Sequence, residues 1–128
     1  MPRGLFMAAA LLLALLAAPP GALAAGAEDT LASLQVQSGG VGAEDRLAPP
    51  GYQAQLIFAN PRGEYLAGVR VIFRREGVAR EVFSPGPWLF VKGRPGRYEV
   101  EARVGEAAAR AALSLPAVGM AVLVLRLR

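Results

Sequence analysis

Apolar and polar residues alternate with a period of two along most of the chain after Gly51. Successive side chains of a β-strand point to opposite faces, so this period predicts strands with one buried face. The alternation marks strands at residues 52–59, at 68–75 and, most clearly, at 98–104. The residues predicted to face inward are Tyr52, Ala54, Leu56, Phe58, Val69, Val71, Phe73, Tyr98, Val100, Ala102 and Val104.

Short segments rich in proline and glycine separate the apolar stretches and predict tight turns. The predicted turns are residues 60–63, 75–77, 84–87 and 93–96, and the strands between them are residues 78–83 and 88–91. About seven strands joined by short turns are typical of a small antiparallel β-sandwich. The predicted fold class is therefore all-β.

Two segments near the C-terminus have less decisive patterns. Residues 107–115 are rich in alanine, which favours a helix, whereas their length and setting favour a strand. Residues 118–128 predict a terminal strand that is buried on both faces near its middle. A membrane tail over residues 111–125 is the alternative, but this stretch contains Pro116 and is shorter than the roughly 20 residues that span a bilayer.

The first 24 residues have the three parts of an export signal. Arg3 supplies the positive charge, residues 5–18 form the apolar part, and the proline-rich residues 19–21 are expected to break a helix before the small residues at 22–24. Cleavage after Ala24 is expected, and the absence of cysteine excludes lipoprotein processing. No stable membrane insertion is expected after cleavage, and the predicted location is the periplasm or the medium.

Residues 25–51 read as an N-terminal arm that precedes the sandwich domain at residues 52–128. Alternation over residues 31–37 predicts a short edge strand. Glu44 and Asp45 would lie in the first turn of a short helix, where acidic side chains interact favourably with the backbone dipole. The glycine-rich residues 38–42 could cradle an anion, but without a following Gly-Lys-Ser/Thr motif a flexible hinge is favoured.

The amino-acid composition excludes several classes of function. The 128 residues include no cysteine and no histidine, so disulfides, thiol nucleophiles, imidazole metal sites and Ser-His-Asp triads are excluded. The 14 basic and 10 acidic residues are interleaved, which does not indicate a nucleic-acid surface. We predict no enzyme activity, no catalytic residue, no cofactor and no metal site.

Several short motifs occur in an order that resembles a known family. The segment YLAGVRV at residues 65–71, RPGRYEVEA at 94–102 and then Gly105 are similar to the carboxypeptidase regulatory-like domain family. Taken with SGGVG at 38–42 and GPWL at 86–89, they also resemble a group of small exported proteobacterial proteins of unknown function. The resemblance covers residue 38 to about residue 115.

This resemblance implies a transthyretin-like (prealbumin-like) sandwich that acts as a non-catalytic accessory module. It therefore implies binding or scaffolding, and it carries no catalytic residue to this chain. The family often has an Asp-Gly turn before the aromatic strand, whereas residues 84–87 here read Ser-Pro-Gly-Pro. The standard loop of the family, including one that binds calcium, is not expected at this turn.

Glu99 and Glu101 are the one pair of carboxylates whose spacing suggests chemistry. Two residues apart on a strand, they project from the same face and could serve acid-base catalysis or bind a cation. Arg70, Arg74 and Arg103 offer opposite charges on neighbouring positions. A solvent-facing ladder of ion pairs is therefore the favoured interpretation.

Trp88 is the most informative aromatic residue, because prolines flank the turn before it. A tryptophan on a rigid loop can stack on a sugar or anchor a protein partner, but a core position at the start of a strand is favoured. Tyr98 is predicted inside, with its hydroxyl bonded to a backbone carbonyl near the turn. Tyr52 and Tyr65 remain candidate surface contacts.

The predicted function is a non-catalytic module that binds another protein of the cell envelope. The predicted contact surface is one end of the sandwich, built by the loops at residues 61–65, 85–88 and 94–97. Its candidate contact residues are Arg62, Tyr65, Trp88, Arg94 and Arg97. The alternative is a carbohydrate or peptidoglycan binder that uses exposed aromatic side chains, and solvent exposure of Trp88 distinguishes the two.

Overall fold

The structure is a computed structural model that describes residues 20–42 and 48–128, with side chains from Gly26 onward. Most of the predicted export signal lies outside the described residues, and so do Glu44 and Asp45, the residues predicted for the first turn of a short helix. The described residues form one helix, α1 (Pro20–Ala32), and eight strands. The strands are β1 (Gln35–Gly39), β2 (Ala54–Ala59), β3 (Val69–Arg75), β4 (Val78–Ser84), β5 (Trp88–Lys92), β6 (Gly96–Val104), β7 (Ala107–Leu115) and β8 (Ala121–Arg126).

The eight strands form two four-stranded sheets that pack face to face. The first sheet has the order β1-β5-β2-β8 and the second has the order β4-β3-β6-β7. Neighbouring strands are antiparallel except β2 and β8, which are parallel. This arrangement confirms the predicted all-β sandwich.

The core lies between the sheets and is built from the side chains that the period of two predicted. Nine of the predicted inward residues are at most 1% exposed. They are Ala54, Leu56, Phe58, Val69, Val71, Phe73, Tyr98, Val100 and Ala102. Val104 is half-buried, and so is Tyr52, which precedes β2. The ambiguous segment at 107–115 is a strand, because all nine residues of β7 pair with β6.

The N-terminal arm contributes both a helix and a strand. The helix begins at Pro20, one of the residues expected to break a helix, and proline suits the first helical turn because its missing N–H has no partner there. Leu31 lies in this helix and is 1% exposed, so the predicted start of the edge strand at residue 31 is wrong. The edge strand itself is confirmed as β1, which pairs with β5.

Arg80 of β4 connects the C-terminal end of α1 to the second sheet through hydrogen bonds. Its guanidinium donates hydrogen bonds to the carbonyl oxygens of Leu31 at 2.7 Å and Leu34 at 2.6 Å. Carbonyls at a helix C-terminus lack partners within the helix, and a cation there also interacts favourably with the helix dipole. The contact holds Leu31 and Leu34 in the core.

The last strand departs from the sequence prediction in its burial. Residues 121–126 form a strand as expected, but β8 is an edge of the first sheet and only alternate side chains face the core. Val122 is 60% exposed and Val124 is 48% exposed, so the prediction that the middle of this strand is buried on both faces is wrong. Among the described helical residues, no helix is long and apolar enough to cross a membrane.

Candidate functional site

Two of the three loops predicted to form a contact surface meet at one end of the sandwich. The N–H of Gly68 donates to the carbonyl of Pro85 at 3.1 Å, and that of Phe58 donates to the carbonyl of Pro87 at 2.9 Å. These bonds join the end of β2 and the segment after it to the turn between β4 and β5. Tyr65 and Trp88 are therefore brought together.

The third loop, residues 94–97, lies at the opposite end of β5. Trp88, the first residue of β5, pairs with Ile57 near the end of β2, whereas Val91 pairs with Ala54 at its start. A strand of this length separates its two ends by about 13 Å. The prediction of one surface containing all three loops is therefore wrong.

Arg94 and Arg97 have separate local contacts at that opposite end. The Arg94 guanidinium lies 3.4 Å from the Thr30 hydroxyl of α1. Arg97 forms an exposed ion pair with Glu99 at 3.4 Å. Neither arginine lies beside the Tyr65–Trp88 contact.

The turn after β2 has a defined shape that presents Arg62 and Tyr65 to solvent. The side-chain oxygen of Asn60 accepts hydrogen bonds from the backbone N–H groups of Arg62 and Glu64, each at 3.0 Å. Such an Asx arrangement replaces backbone hydrogen bonds in tight turns. Gly63 adopts a φ of 86°, a conformation that favours glycine, and Tyr65 is left 59% exposed.

The turn between β4 and β5 is held by two serine hydroxyls. The Ser84 hydroxyl donates to the carbonyl of Gly86 at 2.7 Å, and the Gly86 N–H donates to the Ser38 hydroxyl at 2.8 Å. Gly86 approaches β1 so closely that a Cβ at this position would overlap the carbonyl oxygen of Gly39. This close packing fixes the start of β5, and with it Trp88.

Trp88 belongs to a row of four aromatic rings on the outer face of the first sheet. Tyr65 contacts Trp88, Trp88 contacts Phe90, and Phe90 contacts Tyr52, each edge to face at a centroid separation of 6.4 Å. Edge-to-face pairs at this separation are favourable because the positive edge of one ring meets the negative face of the next. The Lys92 ammonium lies 4.9 Å from the Tyr52 ring centre and extends the row.

Trp88 occupies neither the core position nor the fully exposed contact position that the sequence left open. Its neighbours on β5, Leu89 and Val91, belong to the core between the sheets, whereas Trp88 points to the opposite face and is half-buried. The indole N–H is buried and has no acceptor among the described residues. Trp88 thus supports the outer surface instead of filling the inter-sheet core.

Exposed valines continue the apolar surface across the first sheet. Cross-strand pairing places Trp88, Ile57 and Val124 in one row, and Phe90, Gln55 and Val122 in the next. We define the aromatic face as Tyr52, Tyr65 and Trp88 together with Ile57, Val122 and Val124. Phe90 contacts two of these rings but is itself only 2% exposed. Sequence reasoning missed the two valines because no polar residue interrupts residues 121–125 to show which side faces solvent.

The two predicted carboxylates lie on the outer face of the second sheet in different surroundings. Glu99 is exposed and pairs with Arg97, whereas Glu101 is 3% exposed because arginines cover it. Arg74 approaches Glu101 at 2.7 Å, Arg103 at 2.7 Å and Arg110 at 3.3 Å. Arg74 and Arg103 pair with Glu101 as predicted, whereas Arg70 pairs with Glu81 and Glu99 pairs with Arg97 instead. The predicted exposure of the ladder to solvent is wrong for Glu101.

The arginines determine the protonation of Glu101. Hydrogen bonds from Arg74 and Arg103, with a smaller contribution from Arg110, lower the pKa of Glu101 to about 2. A carboxylate with this pKa is ionised at neutral pH and is a poor proton acceptor. In the described part of the chain, no three acidic side chains lie close enough together to hold a metal ion.

A shallow depression of about 530 Å³ lies at the β3–β4 turn and the start of β6. Tyr98 lines it and is otherwise buried, and its hydroxyl donates to the Arg94 carbonyl at 2.6 Å, as predicted. Burial raises the pKa of Tyr98, and the Arg75 guanidinium stacks 5.1 Å from its ring centre. Arg74, Arg97 and Glu99 also line the depression, so charged groups surround the Tyr98 ring.

The geometry defines a β-sandwich of two four-stranded sheets with an aromatic outer surface on one sheet and a charged outer surface on the other. No protein-family model and no curated protein matches the chain.

Proposed function

We propose that this protein is an exported, non-catalytic β-sandwich module that binds another protein of the cell envelope through the aromatic face. The observation that carries the proposal is the exposure of Tyr65 (59%), Val122 (60%) and Val124 (48%) beside a fixed Trp88. Contiguous apolar surface that remains exposed on a folded domain is typical of interaction sites. Tyrosine and tryptophan are also enriched among the residues that dominate binding energy.

The rigidity of this face supports the same function. Two serine hydroxyls hold the turn before Trp88, and the Asn60 side chain holds the turn before Tyr65. Binding to side chains that are already fixed costs less conformational entropy than binding to mobile ones. The Lys92 ammonium lies over Tyr52 at one end of the aromatic row, and Arg62 lies in the turn before Tyr65 at the other end, so both would form part of a polar rim.

We include export and family membership in the proposal because features of the sequence support both. The charged, apolar and small-residue parts of residues 1–24 support export. The ordered motifs from residue 38 to about 115 support membership of the carboxypeptidase regulatory-like family. The two-sheet sandwich is the fold that this resemblance implies, but unrelated domains share the architecture.

Site-directed photocrosslinking in intact cells tests the proposed surface. A photoreactive amino acid is placed at Tyr65 or Val124, with Glu106 in the β6–β7 turn as the exposed control position. We expect both test positions to form an adduct of the same mass with the same partner, and Glu106 to form none. Equal labelling at all three positions, or no adduct at either test position, would contradict the proposal.

A carbohydrate or peptidoglycan ligand is the second candidate, because the exposed ring of Tyr65 lies against Trp88. Sugars bind aromatic rings by stacking, whereas a protein interface also uses aliphatic side chains. Retention on insoluble peptidoglycan that is lost in Tyr65→Ala but unchanged in Val124→Gln supports the carbohydrate alternative. Loss of the protein adduct in both variants supports the protein partner.

A further inference from the structure

On the outer face of the second sheet, arginines outnumber the glutamates that can pair with them. Five arginines and three glutamates project from this face, which leaves an excess of two positive charges. We call this surface the basic face. Its charged residues are Arg70, Arg74, Arg97, Arg103, Arg110, Glu81, Glu99 and Glu101.

Glu101 fixes three of these arginines in place. Its two carboxylate oxygens accept hydrogen bonds from Arg74, Arg103 and Arg110 on three adjacent strands. The three arginine side chains remain 38%, 50% and 69% exposed, respectively. Each guanidinium has five N–H donors, so donors remain for a second acceptor from solvent or from a partner.

Arg70 and Arg103 occupy directly opposite positions on β3 and β6. Like charges placed opposite each other destabilise a sheet, so this pairing does not serve the stability of the ladder. Arg70 also pairs with Glu81 at 2.7 Å, but its side chain remains 64% exposed. Both arginines are therefore accessible, and their mutual repulsion would fall on contact with an anion.

Phe83 extends this row with an exposed aromatic ring. It pairs with Arg70 across β3 and β4 and is 61% exposed. Phe83, Arg70 and Arg103 thus lie side by side on three neighbouring strands, a span of about 10 Å between the outer two. An aromatic ring beside two arginines combines an apolar contact with donors that match carboxylate oxygens.

We propose that the basic face is a second docking surface, separate from the aromatic face, and that it binds an acidic polypeptide segment containing apolar residues. Charge complementarity carries the choice of an acidic partner, since the face has an excess of two positive charges. The exposed ring of Phe83 favours a polypeptide over an inorganic polyanion as the ligand, because only the polypeptide has apolar side chains to cover the ring. Carboxylates of the segment bind Arg70, Arg103 and Arg110, and an apolar side chain packs on Phe83.

Fluorescence anisotropy with the full chain and three labelled probes tests this proposal. The probes are a soluble peptide that alternates glutamate with leucine, the same peptide with glutamine in place of glutamate, and polyphosphate of equal charge. We expect saturable binding of the acidic peptide that weakens as salt rises, and no binding of the glutamine peptide. Tighter binding of polyphosphate than of the acidic peptide would overturn the choice of a polypeptide.

Three variants locate the binding site. Arg103→Gln combined with Arg110→Gln should weaken peptide binding by about tenfold. Phe83→Ser should weaken the acidic peptide but not polyphosphate, and it leaves the contacts of Glu101 intact if the arginine variant proves unstable. Arg126→Gln removes the same kind of charge from the first sheet and should bind like the wild type.

Arg126→Gln removes one charge and the arginine pair removes two, so a loss of binding free energy in Arg126→Gln of half that in the arginine pair or more would show attraction by net charge alone and would overturn the proposal. Unchanged peptide binding in Phe83→Ser would also overturn it. The aromatic face is tested by crosslinking at Tyr65 and Val124, so failure of one proposal is distinguishable from failure of the other.

Discussion

The indole of Trp88 meets the ring of Tyr65 edge to face, with 6.4 Å between ring centres and an interplanar angle of 74°. Tyr65 lies in the segment after β2 and Trp88 begins β5, and backbone hydrogen bonds from Gly68 to Pro85 and from Phe58 to Pro87 join these parts of the chain. The half-buried Trp88 provides support, whereas Tyr65 is the more exposed of the pair. Substitutions at the two positions should therefore have different effects.

Trp88→Ala should lower the free energy of unfolding by about 2–4 kcal/mol, less than removal of the most buried aromatic rings. Tyr65→Ala should lower it by less than about 1.5 kcal/mol, the upper range for one aromatic pair. Urea unfolding followed by circular dichroism measures both changes. Equal losses for the two variants would show that Tyr65 is as structural as Trp88.

Because the chain has one tryptophan, its fluorescence reports the same contact without interference. Tyr65→Ala should shift the emission to longer wavelength and increase quenching by iodide, since the Tyr65 ring covers part of the indole. Unchanged quenching would contradict this shielding.

The close packing of Gly86, in the turn before Trp88, predicts the effect of enlarging this residue. Gly86→Ala should destabilise the protein by about 1–3 kcal/mol, the usual cost of forcing extra volume into a packed site. The new Cβ would overlap the carbonyl oxygen of Gly39 in β1, and the turn that carries Gly86 is held against β1 by the hydrogen bond to Ser38. Thermal unfolding measures the effect. Gly42→Ala is the matched control, because no atom lies within 4 Å of its added Cβ, and its melting temperature should equal that of the wild type.

The inward faces of the central strands were predictable because polar residues mark their outer faces. Val69, Val71 and Phe73 alternate with Arg70, Ile72 and Arg74, so the buried side is evident from the chain alone. Residues 121–125 contain no such marker. Their exposure depends on the edge position of β8, which is a property of strand order.

The loop contacts and the arginine cluster depend on pairings between distant segments. Tyr65 meets Trp88, but Arg94 does not, because β5 runs away from that end of the sandwich. Arg110 reaches Glu101 only because residues 107–115 form a strand beside β6, and their alanine content left that structure undecided. Local patterns predict the strands, whereas the site requires knowledge of their neighbours.

The low pKa of Glu101 predicts a dependence of stability on pH. A carboxyl group whose pKa falls from 4.5 to about 2 on folding stabilises the native state above its unfolded pKa. This contribution is complete above about pH 5 and is lost as the pH falls through the folded pKa. Glu101→Gln should therefore destabilise the protein at pH 7 and lose most of that difference near pH 2.

Urea unfolding of the wild type and Glu101→Gln at pH 7, 4 and 2.5 measures this dependence. Glu99→Gln is the control, because Glu99 forms only an exposed pair with Arg97 and should change stability little at any pH. A difference between the wild type and Glu101→Gln that stays constant across this range would show that ionisation of Glu101 does not stabilise the fold.

The predicted cleavage site lies within α1, and the structure indicates what cleavage would leave behind. Removal of residues 1–24 would shorten the helix at its N-terminal end but retain Ala27 and Leu31, which are 3% and 1% exposed. The Arg80 contacts to the end of the helix would also remain. We therefore expect a periplasmic protein whose intact mass begins at Ala25 and whose fold is preserved.

Ala24→Arg places a large charged residue where a signal peptidase requires a small one, so this variant should keep the full-length mass. Ala32→Arg, at an exposed position beyond the cleavage site, should be processed normally. A full-length mass for the wild type, or normal processing of Ala24→Arg, would contradict cleavage at this site.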